Sequence, residues 1–268
     1  MSNIQLYKGD CLELMKDIPD KSIDAIITDP PYGTLKDINW DKIIDLDKMW
    51  SELKRIIKID GVIVLTCEQP FTSILITSNI EMFRYTWVWN KVSKTGFLNS
   101  MYKPLKQTED IAIFSLSKVG SKANNPIKYN PQGVVLVNKN KNNNPNETWR
   151  DSKGNSGGGN QLNNGKNYTQ KYTNHPSNLL TISTESIKNF HPTQKPVALM
   201  EYLIKTYTNE NETVLDFTMG SGSTMVACQR TNRNGIGIEI NEEYFNIAKK
   251  RIKNTEVDMI VKDKQKLF

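Results

Sequence analysis

Thr28-Asp29-Pro30-Pro31-Tyr32-Gly33 sets a carboxylate, two prolines and a phenol directly after the apolar run Ile23-Asp24-Ala25-Ile26-Ile27. These residue types suit the activation of an amine carried on an aromatic ring. Such an amine is a poor nucleophile, because its lone pair is delocalised into the ring. Acceptors aimed at both N–H bonds favour a pyramidal nitrogen and localise that pair. Asp29 supplies a side-chain acceptor, and Pro30 a backbone carbonyl without a competing N–H. Pro30 and Pro31 together stiffen the turn, so the acceptors need not reorganise during transfer. Tyr32 offers a flat face on which an extruded base can stack. An amine that has just been alkylated sheds its proton easily, so the chemistry needs no histidine base. The chain has only two histidines, His175 and His191, each before a proline.

A second candidate lies at Val214–Thr224, "VLDFTMGSGST". It reads as a strand, a glycine turn and a helix start. Gly220 and Gly222 would let backbone approach a ligand closely. No Gly-Lys-Ser/Thr follows, which excludes a Walker phosphate loop, and the third glycine of a dinucleotide site is missing. Asp216 closes the strand before the loop, and Glu239 closes the next strand, "GIGIE". An acid in that second position hydrogen-bonds ribose hydroxyls in nucleotide-binding units. A nucleoside that bears an amine and no phosphate fits better than NAD does, and S-adenosylmethionine is such a ligand. Asp216 would lie near its ammonium and sulfonium charges. Transfer would then be an in-line displacement at the sulfonium. Each motif has a bland alternative: a tight strand–helix turn for the glycines, loop punctuation for Asp-Pro-Pro. Their joint presence, one of them at the end of a buried strand, favours chemistry.

The elements that must position these residues follow from periodicity. Strands are expected at Ile4–Lys8, Ile23–Asp29, "VIVLT" after Gly61, "YTWVWNK", "DIAIFS", "ETVLDF" and "GIGIE". Helices are expected near Cys11–Lys16, over Leu46–Ile57 with Gly61 directly after it, at Phe71–Ile80, at Val197–Tyr207 after Pro196, at Ser223–Arg230, and at Asn241–Ile252 capped by Asn241. A loop is expected to run from the first motif to about Lys42. Alternating strands and helices at both ends imply an α/β fold, a doubly wound and mostly parallel sheet with helices on both faces. Residues 138–174 are dominated by Asn, Lys and Gly, and read as mobile loop without the apolar surface for a core.

Charge is unevenly placed. The net charge is +6, yet the segment from Lys91 to Lys195 carries 15 Lys and Arg against 5 Asp and Glu, a local balance of +10, so the rest of the chain carries −4. A basic middle between acidic ends suggests a polyanionic partner. The three cysteines, Cys11, Cys67 and Cys228, are widely separated and form neither a disulfide framework nor a zinc-ligand pair, so no metal is expected. No apolar run is long enough to span a bilayer and no signal pattern opens the chain, so a cytoplasmic protein without a membrane partner is expected.

"TDPPYG", "HPTQKP" (His191–Pro196) and "DFTMGSGST", in that order, resemble the amino-methyltransferases of DNA. The catalytic motif precedes the cofactor motif, as in the permuted group called β-class. The resemblance covers roughly Ile4–Ser117 and Phe190–Ile252. It implies a Rossmann-like methyltransferase fold with a reversed hairpin: a catalytic half over residues 1–117, an inserted target-recognition region over 118–189, and a cofactor half over 190–268. Aspartate before the prolines resembles the adenine-N6 members; cytosine-N4 methylation and an inactive DNA-binding protein are the alternatives. The resemblance assigns Asp29, Pro30, Pro31 and Tyr32 to catalysis. It places Asp10 near the cofactor's adenine, and Thr193 and Lys195 near its carboxylate. Asp216, Phe217, Gly220, Gly222, Ser223 and Glu239 complete the cofactor set. It also implies DNA as partner, with a homodimer and a separately encoded restriction endonuclease left open. The family often has proline where Thr218 stands, which makes this turn less rigid. Among other residues, Trp87 and Trp89 alternate with Tyr85 and are expected to pack in the core. Trp40 reads as either a loop anchor or a cover over an extruded base. Lys91, Lys94, Lys103 and Lys106 are candidates for phosphate contact.

Overall fold

The computed structural model describes residues 2–33, 42–141, 168–184 and 194–265. The chain divides into two compact units, Met1–Asn130 with Asn178–Phe268, and Pro131–Ser177.

The larger unit is an eight-stranded sheet. Its elements in chain order are β1 (Ile4–Lys8), α1 (Cys11–Leu14), β2 (Ile23–Thr28), α2 (Leu46–Ile56), β3 (Ile57–Cys67), α3 (Phe71–Ser78), β4 (Phe83–Thr95) and β5 (Lys106–Phe114). After the smaller unit, which contributes β6 (Val135–Lys141) and β7 (Tyr168–Thr173), come β8 (Leu179–Thr181), α4 (Val197–Tyr207), β9 (Thr213–Asp216), α5 (Ser223–Arg230), β10 (Asn234–Glu239) and α6 (Glu242–Gln265). The strand order is β1-β10-β9-β2-β3-β5-β4-β8. All neighbours are parallel except β5, which runs against both β3 and β4. This is the expected doubly wound sheet with one reversed hairpin.

Every residue of β2 is buried, as expected of a strand covered on both faces. Ala25 and Ile27 join one apolar cluster with Leu199, Leu203 and Val226 of α4 and α5. Ile26 joins the other with Met49 and Leu53 of α2. Trp87 and Trp89 are core residues, as their alternation implied. The sheet order reverses between β9 and β2, so the chain leaves their adjacent carboxyl ends in diverging directions. Such switch points are where open α/β sheets bind ligands.

Three expectations need correction. Gly61 does not stop α2. The chain turns directly from Ile56 into β3, and Gly61 lies inside that strand. The ladder shifts there, from Ile23↔Ile57 to Ala25↔Val62. A Cβ on Gly61 would come within 2.9 Å of the Asp24 carbonyl oxygen. The glycine therefore serves a bulge, where backbones approach closely. Second, Asn138–Lys141 and Tyr168–Thr173, within the expected loop, are strand; they belong to the β6–β7 antiparallel ladder of the smaller unit. Residues 142–167 lie outside the described residues. Third, the smaller unit is narrower than residues 118–189. Ile127 is buried in the larger unit, the Asn130 amide donates to the Thr206 carbonyl at 2.7 Å, and β8 extends the large sheet beside β4.

Candidate active site

Four acids stand in sequence along the carboxyl edge of the sheet. Asp10 follows β1, Glu239 ends β10, Asp216 ends β9 and Asp29 follows β2, the strand order itself. Asp10 caps α1, accepting the Leu12 amide at 2.8 Å. Glu239 accepts the Gly220 amide at 2.9 Å with one oxygen and the Asn241 amide at 2.7 Å with the other. Burial raises the Glu239 carboxyl above its ordinary range, against these amides. Asp216 is buried and accepts the Thr28 hydroxyl at 2.6 Å and the Thr218 amide at 3.2 Å. Burial pushes its carboxyl up to about 6, against the hydrogen bonds it accepts.

Three hydrogen bonds join motifs that lie about 190 residues apart in sequence. Thr28 donates to Asp216, and its hydroxyl lies 2.6 Å from the Thr218 hydroxyl. The Thr218 hydroxyl in turn donates to the Asp29 carbonyl at 3.1 Å. Thr218, standing where proline is common in the resembled family, thus ties the glycine loop to the catalytic turn.

The catalytic turn is charge-paired. The Tyr32 hydroxyl lies 2.6 Å from Asp29 Oδ1, 2.9 Å from Glu109 Oε1 and 3.1 Å from Thr66 Oγ1, and the Thr66 hydroxyl donates to Asp29 Oδ1. Lys195 Nζ is 2.7 Å from Asp29 Oδ2 and 2.9 Å from Glu109 Oε1. Lys91 Nζ is 2.5 Å from Glu109 Oε2. Burial opposes the charge on Lys195, but the Asp29 and Glu109 carboxylates outweigh it and hold the ammonium protonated above its usual range. Burial likewise opposes charge on Glu109, while Lys195 and Lys91 hold it ionised well below the usual carboxylate range. The Tyr32 phenol is raised well above its ordinary value by burial and by the Asp29 and Glu109 charges. Its ring stacks on Phe71, centroids 5.4 Å apart.

The remaining candidate residues have other neighbours or lie outside the described residues. Lys195, expected near a cofactor carboxylate, is paired with Asp29 and Glu109. Thr193 lies outside the described residues, as do His191 and Trp40. Phe217 is buried in the core with Leu215 and Ile238. The Ser223 hydroxyl faces the Arg251 guanidinium at 3.4 Å. Gly222 has φ +81°, and a Cβ there would come within 2.9 Å of the Ala248 Cβ, so its glycine serves packing of α5 on α6. Gly220, at φ +52°, is the glycine whose amide meets Glu239. Of the candidate phosphate-binding lysines, Lys91 pairs with Glu109 and Lys106 with Glu68.

Glu109 was missed because the strand was read from Asp110. Period 2 along β5 puts Glu109 on the same face as Ile111 and Ile113, both buried. An acid in that inward register was the available signal. Burial pushes the Cys11 and Cys67 thiols up to about 12, so neither presents a thiolate nucleophile.

The DNA methylase family profile matches residues 23–250. The chain belongs to this family. Among the methylases it resembles is the Type II methyltransferase M.HpaI of Haemophilus parainfluenzae, 29% identical over 92% of this chain and 74% of that protein. The DNA adenine methyltransferase YhdJ of Escherichia coli is 27% identical over 92% of this chain and 82% of its own. The structure of the M1.HpyAVI–SAM complex is 28% identical, with a TM-score of 0.59 over 93% of this chain and 98% of that one. The cytosine-N4-specific PvuII methyltransferase shares the fold, with a TM-score of 0.65 at 19% identity over 94% of this chain and 86% of that one. The methylase fold is therefore common to enzymes of both base types.

Proposed function

We propose that this chain transfers a methyl group from S-adenosylmethionine to the N6 amine of an adenine swung out of DNA. The observation that carries this reading is the join between the two motifs. Thr28–Asp216 and Thr218–Asp29 hold the amine-polarising turn and the cofactor-type loop at adjacent strand ends.

The residues present suit the cofactor. Asp10, Glu239 and Asp216 form an acidic row fit for a nucleoside that is cationic and free of phosphate. Asp10 would meet the adenine side and Glu239 the ribose hydroxyls. When bound, S-adenosylmethionine supplies a methyl on a sulfonium, open to in-line displacement. The rest falls to the chain's own side chains. Asp29 and the Pro30 carbonyl accept the two N–H bonds of the target amine. Lys195 must yield Asp29 to that amine. Glu109, which already shares the ammonium, keeps it paired as it moves. Tyr32, released from Asp29, offers its ring to the base. The proton lost from the methylated nitrogen leaves through the Asp29 carboxylate to water.

The inserted unit, Pro131–Ser177, reads the DNA sequence in this proposal, and the β6–β7 ladder lies within it. A separately encoded restriction endonuclease is its companion in this proposal, in keeping with the Type II names of its relatives. The test is digestion of methylated DNA to nucleosides. N6-methyl-2′-deoxyadenosine is expected, and N4-methyl-2′-deoxycytidine instead would overturn the base assignment. Sequencing that detects modified bases in cells expressing the chain reports the recognised site.

A further inference from the structure

The β4–β5 hairpin reaches beyond the edge where Asp29 lies. β3 ends at Cys67, opposite Asp110 of β5. From there β5 extends outward through Glu109 to Lys106, roughly 10 Å past Glu109 at strand rise. Glu109 touches Tyr32 and Lys195, so the root of this arm belongs to the catalytic cluster. Lys91 on Glu109 and Lys106 on Glu68 fasten the root.

The tip is folded, and it is apolar. Gly96 takes φ +90°, and backbone bonds Asn99→Gly96, Ser100→Phe97 and Tyr102→Asn99, of 3.0–3.1 Å, close successive turns. Phe97, Leu98, Met101 and Tyr102 are nevertheless 65%, 98%, 89% and 88% exposed. Between Asn90↔Thr108 and Thr95↔Lys106 the ladder skips, and Val92 sits at φ +68°, which a β-branched residue rarely adopts. Such a bulge bends a strand and re-aims the residues beyond it. The stretch from Lys91 to Lys106 carries four lysines and no acid. Among the described residues, Lys94 and Lys103 have no carboxylate partner.

We propose that this arm is a DNA wedge: Phe97 and Leu98 enter the base stack where the target base leaves it, while Lys94 and Lys103 hold the flanking phosphates. The inference rests on the reading of the chain as a base-flipping methyltransferase. Apolar side chains inserted between base steps are a known way to unstack DNA, and lysines supply the phosphate contacts. A two-fold pairing of arms between copies would set lysines against lysines. The arm also rises from the edge through which an extruded base must arrive.

The test uses oligonucleotide duplexes of the mapped site, with the target adenine either paired to thymine or set opposite an abasic position. The Phe97→Ser/Leu98→Ser chain is compared with its parent. We expect methylation of the paired duplex to fall at least about tenfold, and methylation of the abasic duplex to stay within about threefold, because that base is already unpaired. Thermal unfolding and cofactor binding should not move. Equal rates on the paired duplex would overturn the wedge. So would equal losses on both duplexes, or self-association of the parent that the variant loses, which would assign the tip to a second copy. A parent that methylates no DNA would overturn the functional reading itself, and the wedge with it.

Discussion

The two halves of the carboxyl edge hold their acids in different ways. On the cofactor side, Asp10 and Glu239 accept backbone amides, Asp216 an amide and a hydroxyl. Their positions are set by the main chain, and no basic side chain pairs with them among the described residues. On the catalytic side, Asp29 is satisfied by side chains: a lysine on one oxygen, a threonine and a tyrosine on the other. The first half is acidic without a paired base among the described residues. The second is closed upon its own cation, and in the proposed reaction Lys195 gives way to the N–H bonds of the target amine. Asp29 is thus held by partners that a change of rotamer can withdraw, whereas the acids opposite are held largely by the main chain itself.

Breaking the catalytic side should be most costly. Asp29→Ala is expected to lower methyl transfer by at least about 10³-fold while leaving cofactor affinity within about twofold, read by single-turnover kinetics and calorimetry. Transfer near the parent rate would remove Asp29 from its role. Glu109→Gln should lower kcat by about 10–100-fold, because Lys195 is left wholly on Asp29. Adding Lys195→Met to that chain should recover part of the loss, since it frees Asp29. Independent, additive losses would show that Glu109 does not work through Lys195.

The cofactor side should respond in binding rather than in rate. Glu239→Gln is expected to weaken the cofactor about tenfold with kcat little changed, a loss of roughly one hydrogen bond to a charged group. A smaller effect concerns pH. The Asp216 carboxyl is raised from 3.8 to about 6 by burial. The folded chain therefore keeps a proton that the unfolded chain has released. Stability contributed by that proton is present at low pH and lost as pH rises through this window. Denaturant titrations from pH 4 to pH 7 should show the decline, and Asp216→Asn should flatten it. Least affected in function should be Gly222→Ala, which strains a positive φ and crowds Ala248. It should cost about 1–3 kcal/mol in thermal unfolding without changing the base modified.

Much of this edge was legible in the sequence because its signals are local. The apolar run before Asp29 dictates a buried strand, Pro196 marks the start of α4, and Asn241 caps α6 through the Glu243 and Tyr244 amides. What was illegible depends on partners far along the chain. Lys195 looks like a loop lysine until β5 brings Glu109 beside it. Gly61 looks like a helix stop until Asp24 is seen across the bulge. Gly222 looks like a ligand glycine until α6 folds over it. The strands of the smaller unit were hidden by composition, since Asn and Lys carry little β-propensity and only ladder pairing reveals them.

The sheet order has a consequence for the order of synthesis. Among the described strands β1 pairs only with β10, and β2 finds β9 some 190 residues later. Contacts so distant along the chain slow folding. A chain emerging from the ribosome can assemble β2, β3, β5 and β4, with Asp29 and Glu109 in place, yet it lacks Lys195 and the glycine loop. The Asp-Pro-Pro-Tyr turn exists first, and the glycine loop is added last. A translation product that stops short of that loop leaves the turn without its Asp216 and Thr218 partners.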